Sequence, residues 1–224
     1  MIKAVLFDMD GVLYDSEYYY IYGTLTQLLR FNYTGSIEKV YGIIGLSMDD
    51  TYTYLYDLLD GRVPIEELQK SNEDYFFKEN PINYKKIMFP DIKNGLKELK
   101  EMGLRLAVCS ANAEEIVHES LKDMGIEEYF DEVLTDVDVK KTKPDPEVYL
   151  KGLEKLGLDK SECIIYEDST RGIAAGKAAG VFTVARKDDR FLQDQSNADK
   201  IVENIEELVS WIRKENTYAR SNED

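Results

Sequence analysis

The chain has 224 residues, 43% of them hydrophobic and 32% charged, a balance that excludes wholesale disorder, collagen-like repeats and a membrane-spanning bundle. Its 44 acidic residues against 28 basic ones give a formal net charge of −16. That field repels nucleic-acid backbones and anionic lipid, so neither nucleic acid nor a membrane is expected as a partner, whereas a small anionic substrate remains compatible with a few placed cations and a metal.

The apolar run from Met1 stops at Asp8, too short for a signal segment or for a span of about 20 residues, and a cytoplasmic location is expected. Residues 3–7 read as a fully apolar strand. The segment from 15 to 86 differs: it is mostly helical, holds most of the tyrosines and contains no buried-strand run. Asp15-Ser16-Glu17 marks its start, and the Asn80-Pro81 and Phe89-Pro90 pairs mark its end.

From residue 87, short β-branched runs (104–109, 132–134, 163–166, 181–184) alternate with helical patterns near 92–102, 113–124, 146–156 and 170–179. Such alternation indicates an α/β fold with a parallel sheet. The expected division is therefore a core of residues 1–14 and 87–213, an inserted helical domain of residues 15–86, and a frayed polar tail over 214–224. Cys109 and Cys163 sit in strand-like runs and read as small buried hydrophobes; His118 reads as a helix-surface residue. Neither a zinc site nor a histidine triad is supported.

Chemistry concentrates where strands end, since ligands of open parallel sheets collect beyond the carboxyl ends of the strands. The first strand runs into Asp8-Met9-Asp10-Gly11-Val12. Asp8 and Asp10, two apart in extended chain, can face one reacting atom as nucleophile and acid/base, or else Asp-Gly is a simple turn with solvated acids. The second strand ends in Ser110-Ala111-Asn112. Ser110 is a phosphate-contact candidate; Asn112 either joins it or forms a capping box with Glu115. Lys143 precedes Pro144 and is held in place by it, while Asp145-Pro146 reads as a helix start. The fourth strand ends in Glu167-Asp168-Ser169, followed by the small-residue stretch Gly172 to Gly176. With Asp8 and the backbone carbonyl of Asp10, Asp168 offers hard oxygen ligands for Mg²⁺, and Glu167 supports that shell.

These motifs, in this order, closely resemble those of the haloacid dehalogenase superfamily, in its phosphatase and β-phosphoglucomutase branch: Asp8 to Val12, Ser110, Lys143-Pro144, and Glu167-Asp168 with Ser169 and Gly172. The resemblance covers residues 1 to about 190. It implies a Rossmann-like core with the helical insert as a small mobile cap, an aspartyl-phosphate formed on Asp8, and Asp10 as acid and base. Asp10 favours phosphoryl transfer over the carbon–halogen cleavage that names the superfamily.

The insert departs from the sugar mutases. The position of their histidine is taken by Tyr20, and the positions of two cap cations by Met48 and the neighbourhood of Ser71. The expected activity is accordingly Mg²⁺-dependent hydrolysis of a small phosphorylated metabolite, with a sugar phosphate as one such substrate. A β-phosphoglucomutase-like mutase and a non-catalytic phosphometabolite-binding protein are the alternatives. Substrate identity and oligomeric state are not encoded in any motif.

Overall fold

Ala4-Val5-Leu6-Phe7 is buried on every side chain, as a central strand covered on both faces requires. In the computed structural model, which describes residues 1–44, 46, 48–191 and 193–221, it forms β1 (Ala4–Phe7). The strands that join it are β2 (Arg105–Cys109), β3 (Glu132–Leu134), β4 (Cys163–Glu167), β5 (Phe182–Arg186) and β6 (Lys200–Val202). All pairings are parallel, in the order β3-β2-β1-β4-β5-β6. The chain moves outward from β1 to β2 and β3, then returns to build β4 on the other side. A crevice is expected at such a reversal, beyond the ends of β1 and β4.

Between β1 and β2 come α1 (Ser16–Arg30), α2 (Ile37–Val40), α3 (Met48–Leu58), α4 (Ile65–Glu73) and a π-helical turn (Asp74–Glu79), then α5 (Tyr84–Ile87) and α6 (Ile92–Glu101). The rest of the sheet is connected through α7 (Glu114–Met124), α8 (Glu147–Leu156) and α9 (Thr170–Ala179), and α10 (Ile205–Ser221) closes the chain. The chain divides into two compact units, residues 1–15 with 84–224 and residues 16–83. In the first, α8 packs with Leu6, Ala107, Cys109, Leu134 and Ile165 from four strands. In the second, Ile21, Leu28, Val40, Leu55, Leu59 and Leu68 are buried.

One expectation is corrected. Residues 214–221 are not a frayed tail: they continue α10, and Asn216 receives the Ile2 N–H at 2.7 Å and returns an amide N–H to the Ile2 carbonyl at 2.8 Å. The last three residues of that expected tail, 222–224, lie outside the described residues. The edge strand β6 was not anticipated; only three residues pair, on one side, and they carry a lysine. Among the described residues no helix is long and apolar enough to cross a membrane.

Candidate active site

Phe7 pairs with Val108 on one side and Tyr166 on the other, and Asp8 continues the ladder by donating its N–H to the Tyr166 carbonyl at 2.9 Å. The Asp8 side chain therefore emerges level with Glu167, beyond the end of the sheet, and is buried. The chain then turns at Gly11, whose φ of +70° suits glycine. A Cβ at that point would lie 2.1 Å from Asp168 Oδ2, so only glycine lets the loop pass the Asp168 carboxylate.

Lys143 reaches the same place from the segment after β3. Its ammonium donates to Asp8 Oδ1 and, at 2.8 Å, to Glu167 Oε1, and it lies 4.9 Å from the centre of the Tyr149 ring. The Lys143–Pro144 peptide is cis. The Lys143 carbonyl accepts from the Arg171 guanidinium, at 2.6 Å from Nη2, which fixes the backbone of the segment as well as its side chain.

Glu167 is fully buried and accepts from five groups: Lys143 and the Tyr149 hydroxyl (3.1 Å) on Oε1, and the N–H groups of Asp168 (2.8 Å) and Ser169 (2.9 Å) and the Ser169 hydroxyl (3.1 Å) on Oε2. Ser169 also caps α9, its hydroxyl accepting the Gly172 N–H at 3.0 Å. A Cβ on Gly172 would lie 1.5 Å from Glu167 Oε1, so glycine is required there by the approach of the carboxylate. The adjoining Asp168 carbonyl accepts from Gln195 Nε2 at 2.6 Å.

Burial pushes the Asp8 carboxyl up to about 8, helped by the neighbouring Glu167 and Asp10, against the pull of Lys143. Burial acts on Glu167 in the same sense, but the ammonium of Lys143 and the surrounding donors hold it below the usual carboxylate range. Burial opposes the charge on Lys143, and the two carboxylates outweigh it, raising its pKa.

Ser110 is buried at the tip of β2, its N–H donated to the Leu134 carbonyl at 3.0 Å and its hydroxyl accepting the Asn112 N–H at 3.1 Å. Asn112 does not form the expected capping box: α7 begins one residue later than that pattern requires, with Ala113 at its N-cap. The Asn112 amide instead donates to Asp10 Oδ2 at 2.6 Å. Elsewhere, Cys109 and Cys163 are buried free thiols, with burial pushing Cys109 up to about 12, and His118 pairs with Glu127 on the surface at 3.2 Å.

Asp8, Glu167 and Asp168 offer carboxylate oxygens that all lie within 4.8 Å of one another. Two of these carboxylates share one ammonium, and all three are hard oxygen donors at one buried point, which fits a divalent cation of the magnesium type. Glu167 spends its acceptors on five donors and is best suited to hold Lys143 and the strand-end turn in place. Tyr149, Arg171 and Gln195 were not anticipated from sequence. Of these only Tyr149 left a trace, as a hydroxyl-bearing residue on the apolar face of the helix that follows Lys143.

The insert, taken by itself, contains a cavity of about 510 Å³. Tyr20 and Met48 line it, together with Ile21, Phe76, Glu17 and Glu73, and no lysine, arginine or histidine is among its described lining residues; Ser71 is not part of it. The tyrosines mostly serve the insert's core and rim: Tyr52 is buried, Tyr19 donates to the Asn80 carbonyl at 2.6 Å, and Tyr18 and Tyr22 pack ring on ring at the surface.

Residues 5–186 match the haloacid dehalogenase-like hydrolase family. Among curated relatives, a phosphorylated carbohydrates phosphatase of Thermotoga maritima is 31% identical over 189 residues, covering 80% of this chain and 82% of that one. The pyrophosphatase PpaX of Halalkalibacterium halodurans is 30% identical over 186 residues, covering 81% and 82%. Among solved structures, the β-phosphoglucomutase of Clostridium difficile shares the fold with a TM-score of 0.70 at 24% identity, over 98% of this chain and 99% of that one.

Proposed function

From the premise that this chain belongs to the haloacid dehalogenase-like hydrolase family, we propose that it is a Mg²⁺-dependent phosphatase that hydrolyses a small phosphorylated metabolite, of the sugar phosphate kind, through a covalent intermediate on Asp8. The observation that carries this reading is the convergence of Asp8, Lys143, Glu167 and Asp168 at one buried strand edge, with Asp10 two residues from Asp8.

Asp8, Asp168 and the backbone carbonyl of Asp10 would hold the cation, with Glu167 in support; the ion offsets the repulsion between an anionic nucleophile and an anionic ester. Asp8 attacks phosphorus, the ester P–O bond breaks, and Asp10 gives its proton to the departing oxygen. Asp10, now a carboxylate, takes a proton from water as that water attacks the phosphoaspartate. Inorganic phosphate leaves and Asp8 is regenerated. Lys143 and Ser110 steady the transferring oxygens, a contribution of position and charge rather than of covalent chemistry.

Hydrolysis is favoured over isomerisation by the insert. A mutase must hold a second phosphate, and the cavity that contains Tyr20 and Met48 offers apolar, aromatic and acidic walls. The test is a panel of phosphometabolites with and without Mg²⁺, including pyrophosphate and a hexose 1-phosphate with a trace of bisphosphate. Release of inorganic phosphate only when Mg²⁺ is present is expected. Accumulation of the 6-phosphate isomer would establish the mutase instead, and saturable binding without turnover would establish a binding protein.

A further inference from the structure

Glu167 Oε1 accepts two hydrogen bonds, one from the Lys143 ammonium at 2.8 Å and one from the Tyr149 hydroxyl at 3.1 Å. The two donors come from one stretch of chain and differ in freedom. Tyr149 lies in the first turn of α8, is wholly buried, and packs in the core cluster with Leu6, Ala107 and Cys109. Lys143 precedes that helix and reaches the site on a flexible four-carbon stem. Its ammonium also donates to Asp8 Oδ1 and lies 4.9 Å from the centre of the Tyr149 ring. The tyrosine thus meets the ammonium's surroundings twice, through its ring and through the oxygen that both donors share.

We infer that Tyr149 is a positioning residue for Lys143: its hydroxyl takes one side of Glu167 Oε1 and its ring flanks the ammonium, so that the ammonium stays between Glu167 and Asp8. The functional part of the inference rests on the reading of Lys143 as a contact of the transferring phosphoryl oxygens. A carboxylate oxygen has room for about two donors. With the hydroxyl in one place, the ammonium is confined to the other. Phenylalanine at position 149 would keep the ring and vacate the hydroxyl's place. The ammonium is then able to move across Oε1 and away from Asp8, and its hold on phosphate weakens with that displacement.

The experiment measures the affinity of the full chain for inorganic phosphate by calorimetry in the presence of Mg²⁺. Tyr149→Phe should weaken binding by about tenfold, with urea denaturation checking that the variant folds. In Lys143→Met, which leaves no ammonium to position, adding Tyr149→Phe should change the affinity by no more than about twofold. A tyrosine that served only the fold would weaken binding by the same factor in both backgrounds. A crystal structure of Tyr149→Phe beside one of the wild type gives a reading that does not depend on the Lys143→Met background: Lys143 Nζ should stand farther from Asp8 Oδ1 in the variant. Unchanged phosphate affinity in Tyr149→Phe, equal losses in the two backgrounds, or an ammonium that keeps its place in the crystal would each overturn the inference. Wild-type protein that neither binds phosphate nor releases it from any ester would instead overturn the phosphatase reading, and the position of the ammonium in the two crystals would still decide whether Tyr149 places it.

Discussion

The ammonium of Lys143 lies 2.8 Å from Glu167 Oε1, and both residues are buried. Because the same ammonium also binds Asp8, it is the charge on which two buried carboxylates depend. Lys143→Met would leave both with like-charged neighbours in a low-dielectric site. The metal-free variant is expected to lose about 3–5 kcal/mol of stability, read from urea denaturation, and to lose turnover with Mg²⁺ restored. A variant as stable as wild type would show that the pair makes no net contribution.

The raised pKa of Asp8 gives a sign for the pH dependence. Its proton leaves near the ordinary value of 3.8 in the unfolded chain and near 8 in the folded one. Between these values the folded state binds more protons, so stability from this group is complete below the lower value and is lost as pH rises through the upper one. In chelator, the wild type should therefore lose a few kcal/mol between about pH 5 and about pH 8, while Asp8→Asn, unable to ionise, should lose little. Parallel curves for the two proteins would remove burial of the Asp8 charge as the cause.

Asp8→Asn should also abolish turnover and leave no phosphate on the protein in rapid-quench mass spectrometry. Asp10→Asn should still accept a phosphoryl group from a good leaving group, but should slow protonation and dephosphorylation by about 10²–10⁴-fold. Phosphate found reproducibly on another side chain would contradict the nucleophile assignment.

Gly172→Ala tests the strand-end turn. The new methyl would meet Glu167 Oε1 at 1.5 Å, and Glu167 cannot swing away without giving up several of its five donors. A cost of about 1–3 kcal/mol is expected in the denaturation midpoint, together with weaker Mg²⁺ stabilisation. Unchanged thermal and metal titrations would mean that the turn relaxes freely.

Four helices of the core and five of the six strands were legible because their apolar periodicity is local. The expected helices near 92–102, 113–124, 146–156 and 170–179 correspond to α6, α7, α8 and α9, each within a residue or so of its ends. The acids at the ends of β1 and β4 were legible for a related reason: a strand of four or five apolar residues that stops at a carboxylate announces its own end. What stayed hidden depended on distant partners. The polar end of α10 looked like a tail because the bonds that fasten it, from Asn216 to Ile2, span 214 residues. Asn112 looked like a helix cap because its true partner, Asp10, lies in another loop. The five donors around Glu167 include three that adjacent residues supply, yet the two that fix its direction, Lys143 and Tyr149, come from a different segment.

The backbone on either side of the insert is paired before the insert begins and after it ends. Leu13 accepts the Phe89 N–H at 3.2 Å, Asp15 donates to the Ile87 carbonyl at 2.9 Å, and Tyr14 bridges Met88 in antiparallel fashion. Outgoing and returning segments are thus zipped together, and Arg190 clamps Asp15 with contacts of 2.7 and 3.0 Å. The ribbon holds the two ends of the insert together, and the entropic cost of closing a loop grows only slowly with the length of what lies between them. An insert of another length between the same paired ends is therefore expected to cost the strand scaffold little in closure entropy.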